Sequence, residues 1–500
     1  MSTHRMSVQS AAKIGTLALG PLLALLVFIV LPESETLTYG ARATAAMVVW
    51  MAVWWITEAI PLPATSLIPI VVLPAAGIMS TSKAAAPYAN ELIFLFLGGF
   101  VLGIALEKWN AHKRIALSII LLVGTSPRAI IGGFMLATAI LSMAVSNTAT
   151  VIMLLPIGVS VIALVNRAKA STDDRHSRNF AIAMMLGIAY AASIGGVATI
   201  NGTPPNGILI AFLKDATGVE ISYFQWLRFG LPLVCIMLPL TWLVLTRLIF
   251  PVGRESIAHA GQQIRNELKA LGPMSRGEIT VLVVFSLTAA AWITRGWLAP
   301  RIGFGPGSGR EITDAGIALV GALALFVIPI NLRQRSFAMD WESAVRLPWG
   351  VLLLFGGGLS LAGAVRETGL DAAIGSTMAS LGQPPILVLI LTVAILTIFM
   401  TELTSNTAVT SAFLPVLAAA STDMGISAVA LCIPAAVCAS MAFMLPVATP
   451  PNAIVFSSGH VTIRQMVKAG FWLNIIGAVV ITLFVIFLGP ILLGALTLTP

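Results

Sequence analysis

Charge is scarce in this 500-residue sequence. Asp, Glu, Lys and Arg make up 10% of it, against 58% hydrophobic residues and a mean hydropathy of +0.97. Soluble domains carry roughly 25% charged residues, so the deficit excludes a soluble enzyme, and only lipid can solvate so apolar a chain. Cysteine is almost absent too: Cys235, Cys432 and Cys438 lie inside apolar stretches without paired spacing, which excludes a disulfide framework and a zinc site. The histidines, His4, His112, His176, His259 and His460, all read as loop residues, leaving no base within a span for a Ser–His intramembrane hydrolase. An Asp pair at membrane depth and a P-loop are also missing, which removes an aspartyl protease and ATP-driven transport. The net charge of +8 does not signal nucleic acid, because the 28 Lys and Arg are scattered through short loops rather than gathered on one face.

What the chain does have is long apolar runs. They lie near residues 14–31, 43–60, 64–78, 92–106, 179–213, 229–250, 277–297, 312–330, 349–365, 426–457 and 468–495, about eleven crossings at ~20 residues each. The first is long for a signal-peptide core and lacks a small-residue cleavage site, so it is expected to remain as a span. Two further runs, 128–165 and 385–420, are too long for one crossing and carry small polar residues at their centres. Each is expected to form a re-entrant pair of half-helices, since non-helical backbone at membrane depth must be buried in protein or line a cavity. With a cytoplasmic N-terminus and each hairpin returning to its own side, 20 Lys and Arg fall inside and eight outside. That distribution obeys the positive-inside rule and puts the C-terminus outside a multi-pass protein of the inner (cytoplasmic) membrane.

The chain also repeats itself. Phe96-Leu97-Gly98-Gly99-Phe100 is echoed by Leu354-Phe355-Gly356-Gly357-Gly358, Ser146-Asn147-Thr148-Ala149 with Pro156 by Ser405-Asn406-Thr407-Ala408 with Pro415, and Thr203-Pro204-Pro205-Asn206 by Thr449-Pro450-Pro451-Asn452. Three motifs in one order mark an internal repeat, inverted because its two hairpins fall on opposite sides. The expected segments are 1–40, an N-terminal tail and first span; 41–253, a first repeat with an inner hairpin; 254–276, a cytoplasmic amphipathic connector; and 277–500, a second repeat with an outer hairpin.

A Ser-Asn-Thr turn at a hairpin tip offers two hydroxyls, an amide and the free N–H groups of a starting half-helix, whose positive end favours an anion. Each Thr-Pro-Pro-Asn segment breaks a helix, because successive prolines cannot continue its hydrogen-bond ladder. The carbonyls so freed suit a hard cation such as Na⁺. Read alone, one such motif is better explained as packing glue between helices, but glue has no reason to recur beside a recurring break. No Lys or Arg is placed near the motifs, so neutral donors, helix ends and Na⁺ must meet the charge of any anion. Two half-sites at mid-depth suit alternating access better than a channel.

Trp54-Trp55-Ile56-Thr57-Glu58-Ala59-Ile60-Pro61-Leu62-Pro63, both Ser-Asn-Thr turns, and Ala439-Ser440 through Phe443, Pro446-Val447-Ala448, Asn452 and Ile454-Val455 resemble the divalent anion:sodium symporter family. The last stretch satisfies that family's whole signature pattern, and the similarity runs from about residue 40 to the C-terminus. The resemblance implies an all-α polytopic membrane protein, an inverted-repeat, elevator-type transporter that is usually a homodimer. It carries dicarboxylates, tricarboxylates or sulfate with Na⁺ and uses no organic cofactor. It assigns substrate binding to Ser146, Asn147, Thr148, Thr203, Ser405, Asn406, Thr407 and Thr449. One sodium site is implied at Ser142, Ser146, Asn147 and Gly202, the other at Thr401, Ser405, Asn406 and Ala448. The function expected is sodium-coupled symport of a small divalent anion, with a C4-dicarboxylate favoured over sulfate or a tricarboxylate, and sodium-independent dicarboxylate exchange as the alternative.

Outside the motifs, Glu402 reads as a carboxylate holding the second hairpin tip, since facing a dianion it would repel it; an intramembrane acid that binds a cation or proton is the alternative. Glu58 reads as a structural cap or ion-pair partner. Lys108, His112, Lys113 and Arg114 are expected to snorkel to headgroups, Asn179 to lie in a loop, and Trp54, Trp55, Trp341, Trp349 and Trp472 to anchor at membrane interfaces.

Overall fold

The computed structural model describes residues 2–34, 37–124, 126–168, 175–253, 260–304, 310–379 and 384–493. Among these, seven helices are long and apolar enough to cross a membrane: Thr81–Lys108, Asn147–Val165, Arg175–Gly196, Tyr223–Ile249, Arg276–Arg301, Trp349–Glu367 and Ile463–Phe487. Shorter apolar helices, including Gly15–Val30, Asp314–Val327 and Ile386–Thr401, pack between them. Several starts are written in the sequence as reciprocal caps: Ser222 with Gln225, Ser275 with Glu278 and Thr462 with Gln465 satisfy otherwise orphaned N–H groups. A strand pair, Pro329–Asn331 with Ser336–Phe337, runs antiparallel with Pro329 opposite Phe337.

The apolar run 179–213 is divided into Arg175–Gly196 and Pro204–Thr217, and 426–457 into Ala428–Ala439 and Pro450–Ser457, each broken just ahead of its Pro-Pro pair. The two runs with polar centres form helix pairs, Pro127–Ser142 with Asn147–Ala168 and Ile386–Thr401 with Asn406–Asp423. The run 64–78 holds only short helices, Leu62–Thr65 and Ile68–Ala75. Helices Ala111–Val123 and Leu370–Ala379 occupy stretches that the hydropathy reading leaves as connections.

Arg175–Gly196 is the buried centre. Gly187, Ala189, Ala191, Ala192, Ser193, Gly195 and Gly196 let its neighbours approach closely. The halves interlock reciprocally across it. Pro204–Thr217 packs on Asn406–Asp423 and Ala428–Ala439, while Pro450–Ser457 packs on Asn147–Ala168 and Arg175–Gly196. Each broken helix thus inserts its second piece into the opposite half, which brings both breaks to the middle.

Several expectations for individual residues are corrected. Lys108, Lys113 and Arg114, expected at headgroups, are each ion-paired within the protein, to Asp340, Glu267 and Glu278, the last at 2.8 Å. His112 is buried in Ala111–Val123, where Nδ1 lies 3.0 Å from the Leu106 carbonyl, and His176 begins Arg175–Gly196. Asn179 is helical and buried, its amide donating to the Pro251 carbonyl at 3.0 Å. Trp55 is fully buried and donates to Ser66 Oγ, whereas Trp341, Trp349 and Trp472 are exposed. Of the expected connector, 254–259 lie outside the described residues, and Ala260–Ala270 is a helix tied to Ala111–Val123 through Lys113 and Glu267.

Candidate functional site

In the first half the arms meet at a turn ending in Ser146. Its hydroxyl accepts from Ala149 N at 3.2 Å, so the motif serine caps the second arm. Ser142 Oγ and Asn147 Oδ1 are buried with no hydrogen-bond partner among the described residues. The break opposite is held by Asn206, whose amide donates to the carbonyls of Gly196, Val197 and Thr199 at 3.3, 3.2 and 2.8 Å. Gly196 and Gly202 touch. A Cβ on Gly196 would stand 2.8 Å from Gly202 O and 3.1 Å from Asn147 Oδ1. The Asn147 amide oxygen and the Gly196 and Gly202 backbones therefore crowd one small volume that only glycine permits.

In the second half Thr401 Oγ1 lies 2.5 Å from Asn406 Oδ1 and 2.9 Å from Ala439 O, so one hydroxyl proton faces two acceptors. Asn452 reproduces Asn206, donating to Ala442 O and Leu445 O at 3.1 Å each. In both clamps Oδ1 is left buried and unpartnered among the described residues. Glu402 has no counterpart in the first half, where Met143 stands in its place. Only 3% exposed, its carboxylate accepts from Phe443 N, Met444 N and Leu445 N at 2.7, 2.8 and 3.0 Å and from Asn474 Nδ2 at 2.7 Å. Glu402 thus ties the second tip to the second break, and its lone pairs are spent on N–H donors rather than offered to a ligand.

One cavity of about 780 Å³ joins the halves. Ser146, Asn147, Thr148, Gly202, Thr203, Ser405, Asn406, Thr407, Ala448 and Thr449 all line it, while Ser142 and Thr401 are buried and outside its lining. Thr203 Oγ1 reaches Ser440 Oγ at 3.3 Å, linking the first break to the second. Ser193, which the sequence reading does not single out, also lines the cavity with Asn201 and the signature residue Ser440, and Glu58, the left-handed cap of Tyr39–Thr57, stands at its wall. No Lys or Arg is among the lining residues. A second cavity of about 820 Å³ shares Phe100, Ser146, Thr148, Asn201 and Pro348 with it and reaches Lys108, His112 and Arg346, so the site communicates with that end of the molecule. Such a site presents hydroxyls, amides and helix starts to an anion, with clustered oxygens behind each tip for a hard cation.

Asn206 and Asn452 hold the two breaks, a role that the sequence reading did not assign to them. Their signal was present as the last letter of the repeated Thr-Pro-Pro-Asn motif.

Comparison with known proteins agrees with this geometry. Residues 14–495 match the family model described as sodium:sulfate symporter transmembrane region. The chain is 42% identical over 480 residues to the sodium-dependent dicarboxylate transporter SdcS of Staphylococcus saprophyticus, covering 96% of this chain and 92% of that one. It is 43% identical over 488 residues to SdcS of Staphylococcus aureus, covering 97% and 93%. Among solved structures, the YdaH transporter of Alcanivorax borkumensis superposes with a TM-score of 0.59 at 16% identity over 89% of this chain and 98% of its own. MtrF of Neisseria gonorrhoeae gives 0.58 at 12% over 94% and 98%; at such identities the likeness concerns the fold. With the family model spanning nearly the whole chain and both Ser-Asn-Thr turns lining one cavity, this membrane transport protein belongs to the divalent anion:sodium symporter family.

Proposed function

We propose that this protein is a sodium-coupled symporter of a small divalent anion, a C4-dicarboxylate such as succinate or malate. The observation that carries the reading is the single cavity in which both Ser-Asn-Thr turns and both Thr-Pro-Pro breaks meet without a lysine or arginine. A dianion there has its charge met by the N–H groups and hydroxyls of Ser146, Asn147, Thr148, Ser405, Asn406 and Thr407, with Thr203 and Thr449 completing the ring, and by sodium bound close by. One sodium site is proposed at Ser142, Ser146, Asn147 and Gly202, the other at Thr401, Ser405, Asn406 and Ala448. The unpartnered Ser142 Oγ and Asn147 Oδ1 and the crowded Thr401, Asn406 and Ala439 oxygens support it. Asn147 and Asn406 couple the ligands, each offering N–H to the anion and a carbonyl oxygen to the cation. The choice of a dicarboxylate follows the SdcS relatives, which are sodium-dependent dicarboxylate transporters.

The proposed mechanism is alternating access of elevator type, with eleven crossings and two re-entrant hairpins in an inverted repeat of 41–253 and 277–500. The protein is proposed to act as a homodimer in the inner membrane, N-terminus in the cytoplasm and C-terminus outside. The cavity that reaches Lys108 and Arg346 then opens inward.

Proteoliposomes with an inward Na⁺ gradient test the function. Uptake of labelled succinate should collapse when K⁺ or choline replaces Na⁺. Unchanged uptake that requires dicarboxylate preloaded inside would replace symport by exchange, and sulfate out-competing succinate, malate, tartrate and citrate would replace the substrate.

A further inference from the structure

The strand pair between Asp314–Val327 and Trp349–Glu367 is anchored through the residues that follow its second strand. Beneath it Ala338 and Met339 are buried, Trp109 Nε1 donates to Ala338 O at 2.7 Å, Met339 N donates to Leu325 O at 2.9 Å, and Asp340 is paired with Lys108. Its tip is set by Asn331, whose side-chain oxygen accepts from Arg333 N and Gln334 N at 3.0 and 3.3 Å, and by Arg335 at a φ of 49°. That left-handed conformation is uncommon outside glycine, and here it is adopted by one of the two cations the tip presents. Arg333 and Arg335 are exposed and, among the described residues, have no acidic partner. Leu332, beside Arg333 in the chain, and Trp341 are 77% and 67% exposed.

We propose that this tip is a docking surface for the headgroup of an anionic phospholipid. Trp341 stands against Phe326 of Asp314–Val327, ring centroids 6.4 Å apart, and that helix exposes Val320, Leu323 and Val327, which lipid chains would cover. The arginines therefore stand where a lipid-facing helix ends, at headgroup depth, beside a tryptophan suited to the interface. An acidic soluble partner would match the guanidinium groups but leave Leu332, Trp341 and the helix face in water; an anionic phospholipid matches both. This surface is separate from the cavity and independent of what the cavity carries.

The full-length protein, reconstituted in vesicles containing brominated phosphatidylglycerol or brominated phosphatidylcholine, gives the test. The fluorescence of Trp341 is isolated by subtracting a Trp341→Phe variant. Each arginine near an anionic surface contributes about a fivefold preference, so with two of them Trp341 should be quenched at a phosphatidylglycerol fraction about twenty-five-fold below that needed for phosphatidylcholine. An Arg333→Gln/Arg335→Gln variant should lose that preference and an Arg333→Lys/Arg335→Lys variant should keep it. Equal quenching by both lipids in the wild-type protein, or a preference that survives the double Gln change, overturns the proposal. So does protection of Trp341 from both lipids with disulfide trapping of Leu332→Cys between two copies, which would make the face a protein interface.

Discussion

Just before each Ser-Asn-Thr turn the two halves carry different residues, Met143 in the first and Glu402 in the second, and the difference changes how each half is held together. In the first, a backbone carbonyl does the work: Met143 O accepts from the Thr199 hydroxyl at 2.5 Å, and the break rests on Asn206. In the second, a buried carboxylate collects three backbone N–H groups and the Asn474 amide. The first half makes its close approach with glycines, Gly196 against Gly202; the second has Ala442 and Ala448 at the matched positions. Repetition preserves the ligand-bearing motif while the scaffold behind it diverges. Both halves keep the asparagine clamp, so the break geometry is the shared element.

The largest expected effect tests what the halves share. Asn147→Asp or Asn406→Asp keeps size but sets a negative charge beside the dianion. At an effective dielectric of ~20 two charges ~4 Å apart repel by about 4 kcal/mol, roughly three decades of affinity. Each variant should lose substrate binding in a scintillation proximity assay while the folded protein still purifies; near-normal affinity in both would reduce the turns to packing glue.

The next tests where the halves differ. Glu402→Gln replaces one carboxylate oxygen by an NH2 group that cannot accept, leaving at least the buried Leu445 N–H unsatisfied, at about 1–3 kcal/mol. Met143→Leu should cost less than about 1.5 kcal/mol. Thermal unfolding in detergent should rank Glu402→Gln well below Met143→Leu, and equal midpoints would contradict the clamp role.

Smaller still is the swap of small residues. Gly202→Ala drives a Cβ against the Gly196 backbone, whose Cα lies 2.8 Å from that Cβ, and overpacking of this kind costs about 1–3 kcal/mol. Ala448→Gly costs about 0.5–1 kcal/mol through chain entropy alone. Sodium activation curves should move to higher Na⁺ for Gly202→Ala and barely move for Ala448→Gly.

The smallest effect lies at the ends of the two glycine helices. Lys108 closes the first and pairs with Asp340; Arg366 closes the second and donates to the Asp215 carbonyl. Lys108 holds the Asp340 carboxyl down at about 2. Its stabilisation is therefore present above the ordinary carboxylate value near 3.9 and fades as pH falls through about 2. Asp340 is half exposed, so at most about 1 kcal/mol is at stake. Lys108→Met should lower the unfolding midpoint slightly at pH 6 and not at pH 2, where a persisting difference would assign the loss to packing.

Much of this was legible in the chain because repetition and proline are local signals. Thr203-Pro204-Pro205 and Thr449-Pro450-Pro451 located the breaks, and the Ser-Asn-Thr turns located the tips. What escaped depended on contacts remote in sequence. Nothing near Glu402 announces Phe443 N or Asn474, and nothing near Lys113 announces Glu267. Hydropathy also misplaced His112 and Asn179, because polar residues at a helix start lower the local average just as a loop does.

The central claim is that two half-sites, each pairing a Ser-Asn-Thr turn with a helix break, bind one dianion together with sodium. Simultaneous measurement of ²²Na⁺ and ¹⁴C-succinate entry into proteoliposomes tests it most directly. Two or more sodium ions should enter with each succinate, and Gly202→Ala should slow both fluxes together at low Na⁺. Succinate entry unaccompanied by sodium would contradict the account.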